Sequence, residues 1–151
     1  MRLAVVGDHA AVAHTRAIIA HLRHAGHQVE DFGTLSEASC DYPDLAGPAC
    51  ESVAIGRNER VVLVCGTGIG VSIVANKVPG IRCALVHDVT TARLAREHNN
   101  AQALALGARV VDIPTALAMV DAWMAATFQV RHQCRLDKIA AREGCALPTK
   151  P

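Results

Sequence analysis

Apolar and polar positions alternate along this chain in blocks that predict strands separated by helices. Five short runs, which we interpret as strands that are apolar throughout, cover residues 2–6, 27–32, 60–65, 82–86 and 103–107. The stretches between them have helical spacing, and several end at a glycine. The predicted helices cover residues 11–25, 43–55, 71–77, 90–99 and 114–128, and the basic segment 131–142 can also be helical.

Apolar strands that alternate with helices are typical of a parallel sheet covered on both faces. Right-handed crossovers then give a single three-layer α/β/α domain with a five-stranded, Rossmann-like parallel sheet and a C-terminal helix. We predict that this domain covers residues 1–143 and that residues 144–151 form a tail. Ligands bind such sheets at the carboxyl ends of the strands, where residues 7–9, 65–70 and 87–88 are expected.

Composition narrows the class of protein. The chain is 51% apolar and 19% charged, which is ordinary for a folded domain, and its net charge of +1 gives no support for a nucleic-acid partner. No apolar run reaches the roughly 18 residues that span a bilayer, and the N-terminus has the pattern of a first strand rather than a signal peptide. Six cysteines without a C-x-x-C pair favour free thiols and a cytoplasmic protein.

The stretch "VVLVCGTGIGVS", residues 61–72, ends a predicted strand in a cysteine and a glycine loop. A dinucleotide-binding turn is disfavoured because its third glycine would fall on Val71, and a P-loop would need a Lys-Ser/Thr pair after the last glycine. Small residues at a helix start can instead present N–H groups to an anion or oxyanion. Cys65 precedes this loop and is either a reactive thiol or a small core residue; the pattern leaves both open.

Six segments, in order, resemble the type B ribose-5-phosphate isomerases, a family that also includes galactose-6-phosphate isomerase subunits. They are "GDHAA", "DFGT", "DYPD", "CGTGIGVSIVANKVPGIR", "REHNNAQALALGARVV" and "RHQCRLDKI", and the resemblance covers residues 2–140. It implies an isomerase of sugar phosphates that acts through an enediol(ate), without a metal or organic cofactor. Ribose 5-phosphate and ribulose 5-phosphate are the expected pair, and a four- or six-carbon sugar phosphate is the alternative.

The resemblance also implies a role for particular residues. Cys65 matches the base that moves a proton between C2 and C1, and Thr67 and His98 match the pair that opens the furanose ring. The backbone N–H groups of residues 66–72 match the enediolate hole, which includes Gly66, Gly68, Gly70 and Ser72. Positions that hold sugar hydroxyls are Asp8, Tyr42 and Asn99; positions that hold phosphate are His9, Arg109, Arg131 and Arg135. The family's site forms between the subunits of a homodimer, which can assemble further into a tetramer.

Simpler interpretations stand beside these. Arg131 and Arg135 share a helix face and can clamp a phosphate, yet the row continues through Lys138 and Arg142, as in a solvated basic face. The histidines of "HLRHAGH" lack acidic or cysteine partners at ligand spacing, so we predict no metal site. A non-catalytic phosphate- or nucleotide-binding module is the alternative to an enzyme. Retention of Cys65, Thr67 and His98 together disfavours it.

The chain departs from the family beside the first strand. Gly7 stands where Ser or Cys is usual, Ala11 and Val12 replace a Gly-aromatic pair, and Thr15 stands where Lys is common. These changes leave the proton-transfer residues intact but weaken any prediction of sugar length.

Overall fold

The computed structural model describes residues 1–143, so the tail predicted for residues 144–151 lies outside the described residues. Its five strands form one parallel sheet in the order β2-β1-β3-β5-β4. The strands are β1 (Arg2–Gly7), β2 (Gln28–Asp31), β3 (Arg60–Cys65), β4 (Cys83–Leu85) and β5 (Ala103–Gly107).

Six helices connect and flank the strands. They are α1 (Val12–His24), α2 (Tyr42–Ala54), α3 (Ile69–Ala75), α4 (Val89–Asn99), α5 (Ile113–Ala125) and α6 (Gln133–Glu143), with a 3₁₀ turn at Val130–His132 before α6. The predicted α/β fold class is therefore confirmed. Over residues 1–143, none of the helices has the length and apolar character that a membrane crossing requires.

The period-2 alternation of the strands divides the core into two layers. One layer contains Val62 and Val64 of β3 with the inner faces of α1, α4 and α5. The other contains Val61, Leu63 and Cys65 of the same strand with α2 and α3. Because successive side chains of a strand point to opposite faces, the position of Cys65 at the end of β3 directs its thiol toward the α2–α3 layer.

Three predicted elements differ most from the structure, and the other ends shift by no more than two residues. β2 is not apolar throughout: it is a partly exposed edge strand with the sequence QVED, and an edge strand needs only one packed face. α3 begins at Ile69 rather than residue 71, because Gly68 adopts a left-handed conformation that starts the helix there. α5 ends at Ala125 rather than residue 128, because Ala126 is already extended.

The strand order places the chain's switch point between β1 and β3. From β1 the chain crosses to one side of the sheet to form β2, and from β3 it crosses to the other side to form β4 and β5. The connections that leave the carboxyl ends of β1 and β3 therefore diverge and open a crevice, which is where open α/β sheets bind ligands.

Candidate active site

A cavity of about 510 Å³ lies in this crevice. Eight of the residues that the sequence predicted for the site contact it, together with Ala10 and two isoleucines of α3 that the sequence analysis did not single out. The predicted residues are Asp8, His9, Tyr42, Cys65, Gly66, Thr67, Gly70 and Arg109; the isoleucines are Ile69 and Ile73. The isoleucines are exposed apolar side chains at the rim, where the sequence signal was only an ordinary helical pattern.

Cys65 lies at the bottom of the cavity with 5% of its surface exposed. The backbone N–H of Gly68 donates a hydrogen bond to its Sγ at 3.1 Å. This turn requires glycine at position 68, where φ is +78° and a Cβ would lie 2.8 Å from the backbone carbon of Leu106. The thiol is thus fixed in place by a backbone donor and still reaches the cavity.

The glycine loop leaves several backbone donors free beside this sulfur. Gly68 donates to Cys65, Ile69 faces Thr67 Oγ1 at 3.4 Å, and the Ser72 N–H donates to the Gly68 carbonyl within α3. Ser72 Oγ also donates within α3, to the Ile69 carbonyl at 2.8 Å, so both of its donors serve the helix. Over residues 1–143, the loop N–H groups without an acceptor are those of Gly66, Thr67, Gly70 and Val71.

Asp8 and His9 follow β1 and face the cavity from its other side. Asp8 is buried, and its Oδ1 accepts from the Ala10 N–H at 2.9 Å; its second carboxylate oxygen has no hydrogen-bond partner among residues 1–143. The Nδ1 of His9 accepts from the Cys40 N–H at 3.3 Å. A neutral His9 therefore carries its proton on Nε2 and is a hydrogen-bond donor there.

Tyr42 and Arg109 form the walls on either side of the loop. A Cβ at Gly70 would lie 2.4 Å from Tyr42 Cζ, so the tyrosine ring packs directly against the Gly70 backbone. The Arg109 guanidinium lies over Gly66, at 3.5 Å from where a Cβ would be. This guanidinium forms no ion pair with any side chain of residues 1–143. A planar cation that is unpaired beside free N–H groups suits an anion such as phosphate.

Gly68 and Ser72 belong to the glycine loop but do not line the cavity. The other predicted site residues are His98, Asn99, Arg131 and Arg135, of which His98 and Arg135 form a second cluster around His132. The ring centroids of His98 and His132 are 4.5 Å apart, and Arg135 Nη1 donates to His132 Nδ1 at 2.5 Å. Arg131 instead donates to the side chain of Gln129 at 2.7 and 3.0 Å. Asn99 lines a separate cavity of about 330 Å³ that also contacts Arg82 and Ile139.

This cluster cannot meet Cys65 within one chain. The end of α4 lies at the amino ends of β4 and β5, where Arg82 Nε donates to the Asn99 carbonyl at 3.0 Å. Cys65 pairs with Gly107 at the carboxyl end of β5. The intervening strand is about 13 Å long at the usual rise per residue. In addition, α4 packs on the sheet face opposite to the Cys65 side chain.

Two of the other cysteines, Cys50 and Cys83, have the character of structural residues. Burial raises the pKa of Cys50 to about 12, with a smaller contribution from Glu51, and burial likewise raises the pKa of Cys83. Both thiols are therefore protonated at neutral pH, and a protonated thiol is a poor nucleophile. Cys40 and Cys134 are also free thiols.

Two histidines of the segment "HLRHAGH", at the end of α1 and just after it, have contacts away from the cavity. His21 Nε2 lies 2.6 Å from Asp121 Oδ1 of α5, and His27 contacts the N-terminal amine at 3.4 Å. Within the described part of the chain, no three His, Cys, Asp or Glu side chains are grouped so that they could hold a metal ion.

Comparisons with known proteins agree with this geometry. A family model described as ribose/galactose isomerase matches residues 3–139. Ribose-5-phosphate isomerase B of Escherichia coli is 42% identical to this chain, over 90% of this chain and 92% of that protein. D-erythrulose-4-phosphate isomerase of Pectobacterium atrosepticum is 40% identical, over 85% of this chain and 86% of that protein.

A solved structure gives the same result for the fold. The ribose-5-phosphate isomerase B of Clostridium thermocellum superimposes with a TM-score of 0.92 at 44% identity, and the match covers 95% of this chain and 97% of that one. With a family model that matches nearly the whole described chain, the conclusion is direct: this chain belongs to the ribose/galactose isomerase family.

Proposed function

We propose that this chain interconverts an aldose phosphate and a ketose phosphate, with ribose 5-phosphate and ribulose 5-phosphate as the preferred pair. The observation that carries the proposal is the Cys65 thiol, held by the Gly68 N–H at the base of a cavity that free backbone donors and Arg109 also line. An enolisation needs a base of suitable proton affinity beside a site for the developing oxyanion. Cys65 and the free N–H groups of the glycine loop are the candidates in this cavity for these two roles.

The proposed reaction begins with ring opening. His98 and Thr67 transfer the proton between the anomeric hydroxyl and the ring oxygen, which breaks the C1–O4 bond of the furanose and gives the open aldehyde. Cys65 as thiolate then removes the proton from C2, and the negative charge develops on the C1 oxygen. The free N–H groups of Gly66, Thr67, Gly70 and Val71 are the donors available for this oxyanion.

The thiol completes the reaction by returning the proton. Transfer of the O2 proton to the oxyanion on O1 moves the negative charge to O2. Transfer of the proton from Cys65 to C1 then forms the C2 carbonyl of the ketose and regenerates the thiolate, so no electrons are exchanged with an outside group. Asp8 and Tyr42 are positioned on the cavity wall to hold sugar hydroxyls. His9, as an Nε2–H donor, and Arg109 are the cavity's candidates for the phosphate.

The complete site in this proposal needs two copies of the chain. His98 and Asn99 end α4, which packs on the face opposite to Cys65, and this end of α4 lies at the other end of the sheet from Cys65. Arg135 joins His98 through His132, and Arg131 lies in the turn just before α6. A homodimer related by a two-fold axis would bring this cluster from one subunit to the cavity of the other, twice per dimer. The exposed Ile69 and Ile73 at the cavity rim supply apolar surface for such a contact.

A tetrose phosphate is the second candidate substrate. It is favoured by the similarity to the Pectobacterium protein, whose name states that it acts on D-erythrulose 4-phosphate. The same proton transfer between C1 and C2 serves both sugars, so the choice depends on the distance between the base and the phosphate contacts.

The test is an isomerisation assay with four-, five- and six-carbon sugar phosphates. We expect the highest kcat/KM for ribose 5-phosphate, and a loss of about 10³-fold or more in Cys65→Ala because the base is removed. Cys134→Ser, which changes an exposed thiol outside the cavity, should keep wild-type activity. Substantial activity in Cys65→Ala would contradict the assignment of the base. No turnover by wild type would leave a non-catalytic phosphate-binding module.

Deuterium uptake from D₂O at C1 of ribulose 5-phosphate separates the two proton-transfer groups. This ketose has no free 5-hydroxyl and cannot close a furanose ring, so the exchange requires enolisation alone. We expect Cys65→Ala to lose both the exchange and net conversion of ribose 5-phosphate. His98→Asn should retain exchange within a few-fold and lose about 10²-fold or more in net conversion.

A further inference from the structure

His132 is a buried histidine between two residues of the proposed site. Only 4% of its surface is exposed. Its ring packs against that of His98 with centroids 4.5 Å apart and planes tilted by 42°. On its other side, Nδ1 accepts from Arg135 Nη1 at 2.5 Å. One side chain thus contacts both the proposed ring-opening acid and a proposed phosphate ligand.

The contact with Arg135 fixes the protonation state of His132. A guanidinium only donates hydrogen bonds, so Nδ1 must be an unprotonated acceptor and the single ring proton must be on Nε2. Burial, followed by the charges of Arg131, His98 and Arg135, lowers the pKa of His132 and favours the same neutral form. Nε2 is buried without a hydrogen-bond partner among residues 1–143. A histidine with a purely structural role usually has its buried polar atoms paired.

We propose that His132 is a positioning residue of the isomerase: its Nδ1 anchors the Arg135 guanidinium while its ring sets the orientation of the His98 imidazole. The inference rests on the proposed function, in which Arg135 binds phosphate and His98 opens the ring. Because one rigid ring contacts both side chains, the distance between the Arg135 guanidinium and the His98 imidazole stays fixed. A group misplaced by about an ångström can cost a large part of the rate.

Two substitutions separate the two contacts. His132→Phe keeps an aromatic ring beside His98 and removes the acceptor for Arg135. His132→Asn keeps an acceptor close to the position of Nδ1 and removes the ring. We expect His132→Phe to raise KM for ribose 5-phosphate, and Ki for inorganic phosphate, by about 10-fold with kcat within a few-fold, since a hydrogen bond to a charged group is lost. His132→Asn should leave Ki for phosphate within about 3-fold and lower kcat by about 10-fold.

The matched control is His24→Asn, which changes an exposed histidine at the end of α1 and should leave both constants unchanged. Wild-type kinetics in both His132 variants would overturn the proposal. The proposal would also be overturned if KM and kcat changed equally in the two variants. A general loss of packing affects the variant that keeps the ring and the variant that keeps the acceptor in the same way. Thermal unfolding of each variant shows whether the folded protein is being compared.

A measurement on the wild-type protein tests the inference without any substitution. Nitrogen-15 NMR of the imidazole side chains distinguishes the two neutral tautomers and the imidazolium. We expect His132 at pH 7 to be neutral with its proton on Nε2. A protonated Nδ1 would overturn the proposal even if neither variant folds. Absence of turnover in wild type would defeat the proposed function, whereas the tautomer of His132 would still decide whether its Nδ1 accepts from Arg135.

Discussion

Gly7 and Thr15 are separate departures from the family pattern in the sequence but neighbours in the structure. A Cβ at Gly7 would lie 1.9 Å from Thr15 Oγ1 and 3.0 Å from its Cβ. Thr15 is buried and its Oγ1 is committed to the Ala11 carbonyl at 2.9 Å, so it cannot move aside at low cost. The branched Thr15 thus fills the space that a side chain at position 7 would need, and the two departures form one coupled change. Val12, by contrast, does not line the cavity.

This contact predicts non-additive stability effects. Gly7→Ala should lower the free energy of unfolding by about 1–3 kcal/mol because it overpacks a buried contact. Thr15→Ala removes the atom nearest to the new methyl, so the double variant should be more stable than the sum of the single changes by about 1 kcal/mol. Urea denaturation of the four proteins measures this coupling, and simple additivity would contradict it.

Gly47→Ala is the control for this cycle. A Cβ at Gly47 meets nothing within 4 Å, and the residue lies inside α2. Alanine is the better helix former, so this substitution should raise the free energy of unfolding by about 0.5–1 kcal/mol. If the free energy of unfolding falls in Gly7→Ala and rises in Gly47→Ala, the loss at Gly7 comes from the contact with Thr15 and not from the replacement of a glycine as such.

A site residue was predictable from the sequence where the alternation of side chains along a strand, or the order of strands and loops along the chain, determines its place. The orientation of Cys65 follows from the alternation along β3, and its place beside Asp8 follows from the carboxyl-end rule for parallel sheets. The use of each N–H in the glycine loop was not predictable, because it depends on the conformation of Gly68. His132 carried only a weak signal, its spacing of three residues from Arg135 on one helical face.

Among the elements, α5 shows how a distant residue ends a helix. Arg60, at the start of β3, donates to the carbonyls of Trp123 and Met124 at 3.2 and 3.3 Å, and its guanidinium lies 5.2 Å from the Trp123 ring centroid. Burial, followed by repulsion from Arg96, lowers the pKa of Arg60 to about 10, so it remains charged at neutral pH. The cation thus satisfies carbonyls that the helix end leaves open.

Loss of this contact should destabilise the protein. Arg60→Ala leaves the carbonyls of Trp123 and Met124 without their charged donor, and we expect the free energy of unfolding to fall by about 2 kcal/mol. Arg16→Ala, which removes an exposed arginine of α1, should change it by less than about 0.5 kcal/mol. Chemical denaturation compares the two. Equal, small effects would mean that α5 ends without help from Arg60.

Element order was predictable, whereas several element ends were not. Apolar runs and helical spacing identify the five strands and the first five helices, and they allow a helix in the basic segment that contains α6, because burial imposes those periods on the sequence. The end of α5 depends on Arg60, which lies more than 60 residues away in the chain. Asn76 similarly follows the end of α3, where its side chain exchanges hydrogen bonds of 3.0 Å with the backbone of Cys83. Such tertiary contacts leave no local pattern.

At the scale of the whole molecule, the sheet separates the two halves of the proposed site. The cavity with Cys65 and Thr67 lies at the carboxyl ends of β1 and β3. His98 lies near the amino ends of β4 and β5, on the helix that packs on the opposite face, and Arg135 joins it through His132. A parallel sheet with short crossovers has no means to bend these ends together. Catalysis by both halves therefore requires a second subunit, and this requirement makes the proposed homodimer testable by function.

Two inactive variants should restore activity when they share a dimer. We propose to co-express Cys65→Ala and His98→Asn chains with different affinity tags and to purify the molecules that carry both. In such a heterodimer one site combines the intact Cys65 of one chain with the intact His98 of the other, and the second site has lost both groups. The expected activity is about half that of wild type per dimer.

Pairing Cys65→Ala with Thr67→Ala is the control, because both changes fall in the same half of the site and every site of that heterodimer is damaged. No recovery in the first pair, despite a stable doubly tagged species, would show that each chain carries a complete site by itself. Recovery in the control would show that Cys65 and Thr67 do not belong to the same half of the site.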